Sequence, residues 1–320
     1  MKILHAALMS AALCLTTGSA WAQEYPNKPI RVIVGSSPGG ISDVFIRSLG
    51  DELHKRLGQP LIIENRSGGS FNIAARACTE AANDGYTICI LPNEPVTYNL
   101  FLFKNLPFDP NRLMPVSQLF VMSQVFAVSS ALGVKSLPEL AAHSKARPKT
   151  LSYSSPAYAQ ALFVEKFKEQ TGADLVRVPF KGGGDAVNGL LAGTTPAVFI
   201  GIANVISHIR AGTVTPLVMD DKERSVLAPN VQTLTEIGYR GDLTRSYFGL
   251  FAPAGTPAAA LDRLHNEITA IAAQPEFKDK TFVQRGLVPV LSRPGEFAEF
   301  LKEDRAASER VVRASGLQPE

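Results

Sequence analysis

The first residues able to do chemistry are Gly35-Ser36-Ser37-Pro38-Gly39. Read as G-x-S-x-G between an apolar run (30–34) and an amphipathic stretch, they have the form of a nucleophile elbow, with Ser37 attacking an acyl carbon. The neighbouring residue argues against that chemistry. An elbow uses the backbone N–H after the serine in its oxyanion hole, and Pro38 has none. An elbow also follows several strands, whereas this run is the first strand of the mature chain. An exported serine hydrolase using Ser37 remains a remote alternative. A nucleotide cradle fits no better. Glycines 35, 39 and 40 do not make G-x-G-x-x-G, and in Phe180-Lys181-Gly182-Gly183-Gly184 the lysine precedes the glycines it would have to follow. Anion binding remains. A Gly-rich turn opening a helix offers unpaired N–H groups and the positive dipole end to a carboxylate. Ser154-Ser155 and Lys181–Gly184 also precede helical patterns. A single such loop serves equally as a tight βα turn; the set, in an exported two-domain chain, favours a cleft that closes on an acidic ligand.

The elements that must position these loops alternate. Runs 30–34, 61–65, 86–91, 150–155, 175–180 and 197–201 read as strands. The stretch after Ser42 carries Phe45, Leu49, Leu53 and Leu57 near the helical period, is capped by Ser42 or Asp43 and is stopped by Gly58. Helices about 257–273 and 295–314 close the chain. Strand–helix–strand repetition predicts α/β domains, each a mostly parallel sheet flanked by helices. No low-complexity linker intervenes, so the chain is expected to cross between domains on strands near 117–130 and 244–252.

The leader is separate. Lys2, an apolar core and Ala20-Trp21-Ala22 form a signal peptide, residues 1–22, cleaved before Gln23. The formal charge is +3 over the whole chain and +2 without Lys2, and no basic block stands out, so nucleic acid is not an expected partner. Cys78 and Cys89 could pair in an oxidising compartment, but the preferred reading is two small buried residues, one on a helix and one on a strand. Neither has a metal-ligand spacing to a histidine. His54, His143, His208 and His265 fall on helices and are expected to be exposed, none placed as a general base. No metal, cofactor or catalytic residue is expected.

Tyr25–Asp43, YPNKPIRVIVGSSPGGISD, resembles the opening of the tripartite tricarboxylate transporter substrate-binding proteins, the Bug family. The likeness continues in order through LGQPLIIENRSGGSFNIAA, NDGYTICI, LPFDP, VKSLPELAAHSKARPKTLSYSSP, VRVPFKGGGDAVNGLLAG and YFGLFAPAGTP. The resemblance implies a two-domain periplasmic-binding-protein fold of the Venus-flytrap type II kind. Its first domain would be 23–124 plus 248–320 and its second 125–247. It also implies a periplasmic, non-enzymatic, monomeric receptor that delivers a carboxylate to a two-component membrane permease. Carried over by motif, Ser36, Ser37, Gly40, Ser42 and Asp43 form one wall of the site, with Phe71, Asn72 and Asn93 beside it. Ser154, Ser155, Tyr158, Phe180, Lys181 and Gly183 form the facing wall. Asp43 reads better as a loop organiser than as a direct contact, and Lys181 as either a neutralising or a solvated charge.

The departures from the family pattern matter. Phe71 stands where the family has glycine, and Tyr158 where it has small residues, so the two aromatics could sandwich a ring. That favours an aromatic dicarboxylate such as terephthalate. An aliphatic di- or tricarboxylate, a nicotinate-like ligand or an acidic amino acid remains the alternative. Glu94 would repel an anion unless it faces solvent, pairs with Arg66 or Lys181, or receives a ligand N–H.

Overall fold

The computed structural model describes residues 25–155, 158–180, 182–221, 223–238 and 246–319, the side chains of residues 158 and 159 not included. The expected leader, Lys181 and the Tyr158 side chain lie outside the described residues. Strands β1 (Ile30–Val34), β2 (Leu61–Asn65), β3 (Thr87–Pro92) and β4 (Leu113–Met122) build a first sheet. Strands β5 (Gln124–Ser129), β6 (Ser152–Ser154), β7 (Val176–Val178), β8 (Ala197–Gly201) and β9 (Val214–Met219) build a second. The chain then returns to the first sheet with β10 (Ser246–Pro253) and β11 (Leu287–Pro289). Helices α1 (Ile41–Leu57), α2 (Asn72–Thr79) and α3 (Asn99–Leu102) accompany the first sheet, and α4 (Leu137–Ala146), α5 (Tyr158–Thr171), α6 (Gly183–Leu191) and α7 (Ile206–Arg210) the second. After β10 come α8 (Ala258–Ala272), the single turn α9 (Pro275–Phe277) and the long α10 (Pro294–Ser315).

The two-domain α/β expectation holds, but each sheet is mixed rather than mostly parallel. The order is β11-β4-β10-β3-β1-β2 in the first and β7-β6-β8-β5-β9 in the second. Only β2-β1-β3 and β7-β6-β8 are parallel. The reason is the crossing itself. A chain that leaves the first sheet on β4 and comes back on its neighbour β10 must run the other way, and β4–β10 is antiparallel. Only Ser123 separates β4 from β5, so the outward crossing is one residue long.

Each body has its own apolar core. In the first, α1 buries Phe45, Leu49 and Leu53, and Phe45 meets Phe120 with ring centroids 4.7 Å apart. In the second, Phe126 of β5 packs among Phe163, Phe167 and Phe199. Each such buried ring contributes roughly 1.5–3 kcal/mol. Gly58 ends α1 in the left-handed region, φ 68°, a conformation glycine adopts without penalty. Two expectations are corrected here. Cys78 and Cys89 form a disulfide, because α2 lies on β3 and brings their Cα atoms to 6.1 Å. His265 is buried, 8% exposed, since it shares the inner face of α8 with Leu261, Leu264 and Ile268. Burial and the nearby Arg293 hold its pKa below the usual histidine value.

Candidate functional site

The turn between β1 and α1 is organised from within. Gly40, not Ser42 or Asp43, occupies the N-cap position and donates no side chain. Ser42 instead shares a hydrogen bond with Ser36, Oγ to Oγ 2.6 Å. Asp43 accepts from the Gly39 N–H at 3.0 Å, from Arg47 Nε at 3.0 Å and from Asn65 Nδ2 at 3.0 Å. Burial alone would raise the Asp43 pKa, but the hydrogen bonds from Arg47, Gly39 and Asn65 outweigh it and hold the carboxyl below its ordinary value. The lowered pKa means stability that is present above the unfolded-state value and lost as pH falls through the folded one. Asp43→Asn is accordingly expected to cost about 1–2 kcal/mol at pH 7, with the gap to wild type narrowing towards pH 3. Denaturant unfolding at the two pH values checks this; equal stability at pH 7 would refute it.

Opposite this loop stands the start of α6. Gly182 approaches so closely that a Cβ there would lie 2.6 Å from Ser37 Oγ and 2.8 Å from Ser37 N. A Cβ on Gly184 would lie 2.8 Å from the Pro38 carbonyl oxygen. The two bodies therefore meet backbone to backbone through glycines, and the cleft between them is shut. About 40 Å³ of free space remains inside it, little beside the 300–1,000 Å³ usual for ligand pockets.

Of the residues expected from sequence, Ser36, Phe71, Asn93 and Gly183 line this space. Phe71 is held in the left-handed region, φ 71°, just ahead of α2, and its ring lies against Gly35, where a Cβ would sit 3.2 Å away. Ser37 is buried behind the lining, at the Gly182 contact. Asn72 is tied to Asn99, 2.7 Å, and does not line the space. Ser154 and Ser155 are buried one layer back, and Ser155 donates to Gln160 Oε1 at 2.9 Å. Phe180 turns away from the cleft: its ring covers Gly189 and packs into the second body's core.

Sequence reasoning missed Met122, Gln124, Gln160, Asn204, Ser246 and Phe248, all of which line the cleft. Met122, Gln124 and Ser246 sit where the chain crosses between sheets, so the crossings themselves were the available signal. The polar atoms here are unusual. Ser37 Oγ, both amide atoms of Asn93, both of Gln124, Glu94 Oε2 and Ser154 Oγ are buried without a hydrogen-bond partner. Buried polar groups in proteins are almost always satisfied, so a concentration of orphans around one space marks a place built to receive polar atoms from outside the chain.

Glu94 is among them. It is 2% exposed and lines the cleft. The suggested partner Arg66 is engaged with Glu64 instead. Burial, reinforced by the charge of Asp304, pushes the Glu94 pKa up to about 7. Among the described residues no histidine lines the space, and no group of side chains is arranged to hold a metal. A larger groove, about 750 Å³, runs over the second body between Leu137, Phe163, Phe167 and Leu217. None of its lining atoms is an orphan, so the cleft, not the groove, carries the polar demand.

Two α/β bodies, a double crossing at strand ends and a polar cleft between them define a solute-binding protein of the periplasmic binding class. The chain belongs to the tripartite tricarboxylate transporter family receptors, whose family profile matches residues 45–317. It is 33% identical over 301 residues to protein BugT of Bordetella pertussis, covering 93% of this chain and 92% of that one. Among solved structures, an R. palustris protein with adipate superposes with TM-score 0.86 at 26% identity, covering 93% of this chain and 100% of that one. MatC from Rhodopseudomonas palustris, with bound malate, superposes with TM-score 0.82 at 26% identity over 90% of this chain and 100% of MatC.

Proposed function

We propose that this protein is exported to the periplasm after loss of residues 1–22 and captures a small carboxylated solute between its bodies, 23–124 with 248–320 and 125–247. It then hands the solute, as a monomer and without chemistry or cofactor, to a two-component permease of the tripartite tricarboxylate type. The observation that carries this reading is the convergence of unpartnered Ser37, Asn93 and Gln124 at a closed interdomain cleft. Neutral donors of this kind hold a carboxylate without a fixed counter-charge. Among the described residues no lysine or arginine lines the space.

Phe71 and Phe248 both line the cleft and support a ring-bearing ligand such as terephthalate. The proteins solved with adipate and malate support an aliphatic diacid as the second reading. Thermal unfolding against benzene dicarboxylates, aliphatic di- and tricarboxylates, nicotinate and acidic amino acids separates them. A ligand at a hundred times its Kd stabilises by about 2.7 kcal/mol. If the ring reading holds, Phe71→Ala weakens terephthalate by about 1–2 kcal/mol and leaves succinate unchanged. No shift with any carboxylate would overturn the capture reading, and a shift abolished together with an esterase activity in Ser37→Ala would establish the hydrolase instead.

A further inference from the structure

Glu94 is the only ionisable side chain lining the cleft among the described residues. It stands on the turn that follows β3, next to Asn93. The groups packed about it leave it without a counter-ion. From β10, the Tyr247 hydroxyl donates to Asp304 Oδ2 of α10 at 3.0 Å. From α10, Arg305 Nε donates to the Val96 carbonyl at 2.9 Å. Asp304 adds negative charge from the same side. The cleft amides, Asn93, Gln124, Gln160 and Asn204, are neutral, and Glu94 Oε2 has no partner of its own.

A carboxylate in this position cannot face a second carboxylate directly, since two acceptors with like charge repel and one hydrogen must lie between them. Resting on the carboxylate-capture reading, we propose that Glu94 fixes the class of solute. The cleft takes a carboxylate whose far end offers Glu94 a hydrogen-bond donor, such as an amide, a ring N–H or an ammonium group, and takes a diacid only together with a proton. In the diacid complex the proton sits on one of the two carboxyl groups and is donated to the other, so the complex holds one more proton than free protein and dianion. The raised Glu94 pKa, about 7, places that uptake within the working range of the compartment.

Matched pairs test this: terephthalate against 4-carbamoylbenzoate, and adipate against its half-amide, titrated calorimetrically at pH 8 and pH 6. At pH 8 the half-amide is expected to bind at least tenfold more tightly than the diacid. On moving to pH 6 the diacid gains about tenfold, following the rise in protonated Glu94, whereas the half-amide does not gain, because its N–H is accepted best by the ionised Glu94. In Glu94→Gln, the diacid loses its pH dependence and the preference for the half-amide collapses. Equal affinity of a pair at pH 8, or a preference unchanged in Glu94→Gln, overturns the role of Glu94 and leaves carboxylate capture standing. Binding of neither member of either pair at either pH overturns this proposal and, where the wider carboxylate panel also gives no thermal shift, capture with it. If Glu94→Gln does not fold, the wild-type pH series alone decides, because a diacid affinity that does not change with pH is incompatible with proton uptake.

Discussion

Gly182→Ser is expected to lower ligand affinity about a hundredfold while leaving both bodies folded. The backbone at Gly182 is extended, φ 176°, so any residue fits the local chain. Serine is also a better helix N-cap than glycine, so α6 does not suffer. The obstacle lies across the cleft, where the new Cβ meets Ser37 Oγ at 2.6 Å and the Ser37 backbone nitrogen at 2.8 Å. The hydroxyl can rotate aside, but the nitrogen cannot. Overpacking of this kind costs roughly 1–3 kcal/mol, and here the cost falls on the closed state alone. A hundredfold loss is about 2.7 kcal/mol. Titration calorimetry measures the affinity, and small-angle scattering with saturating ligand shows whether the bodies still close. Wild-type affinity with a compact scattering profile would mean that this glycine contact does not govern closure.

The second large effect concerns the disulfide. Removing it in Cys78→Ala/Cys89→Ala is expected to cost about 3 kcal/mol, from the entropy of a loop closed over a separation of 11 residues. Both sulfurs are fully buried, so small cavities add to the loss. The bridge also has a place in the site. It ties α2, which carries Phe71 at its entrance, to β3, which leads directly to Asn93 and Glu94. Loosening it should therefore weaken binding as well as stability. Urea unfolding of wild type with and without reductant, beside the double variant, provides the measurement. Reductant should bring wild type down to the variant and leave the variant unmoved. Stability within about 0.5 kcal/mol of wild type would show that packing of α2 on β3 already does the bracing.

Much of the first body could be read from sequence because its signals are local. The apolar run at β1, the glycine turn and the Phe45–Leu57 period specify strand, loop and helix within thirty residues, and Gly58 marks the stop. Phe71, Asn93 and Gly183 follow from motif position. Gln124, Gln160, Asn204 and Ser246 do not, because each is polar, carries no neighbouring pattern, and reaches the cleft only through the double crossing. The disulfide was hidden for a similar reason. The last residue of a helix, a turn and the first residues of a strand separate its cysteines, and their approach depends on how α2 lies on β3. His265 was legible and overlooked, since Leu261, Leu264 and Ile268 place it on the inner stripe of α8. Mixed sheets were likewise implied by the expected crossings, which require a returning strand to run against the one that left.

The crossing at Ser123 and the re-entry into the first sheet at Ser246 put Met122, Gln124 and Ser246 at the fulcrum of the molecule as well as in its binding cleft. A lever magnifies what happens at its pivot. A difference of a fraction of an ångström in the girth of the cargo becomes a larger difference at the two rims. A membrane partner that grips both rims would thus read how well the cargo fits without ever touching it, and a poorly fitting cargo would announce itself as a misshapen outline.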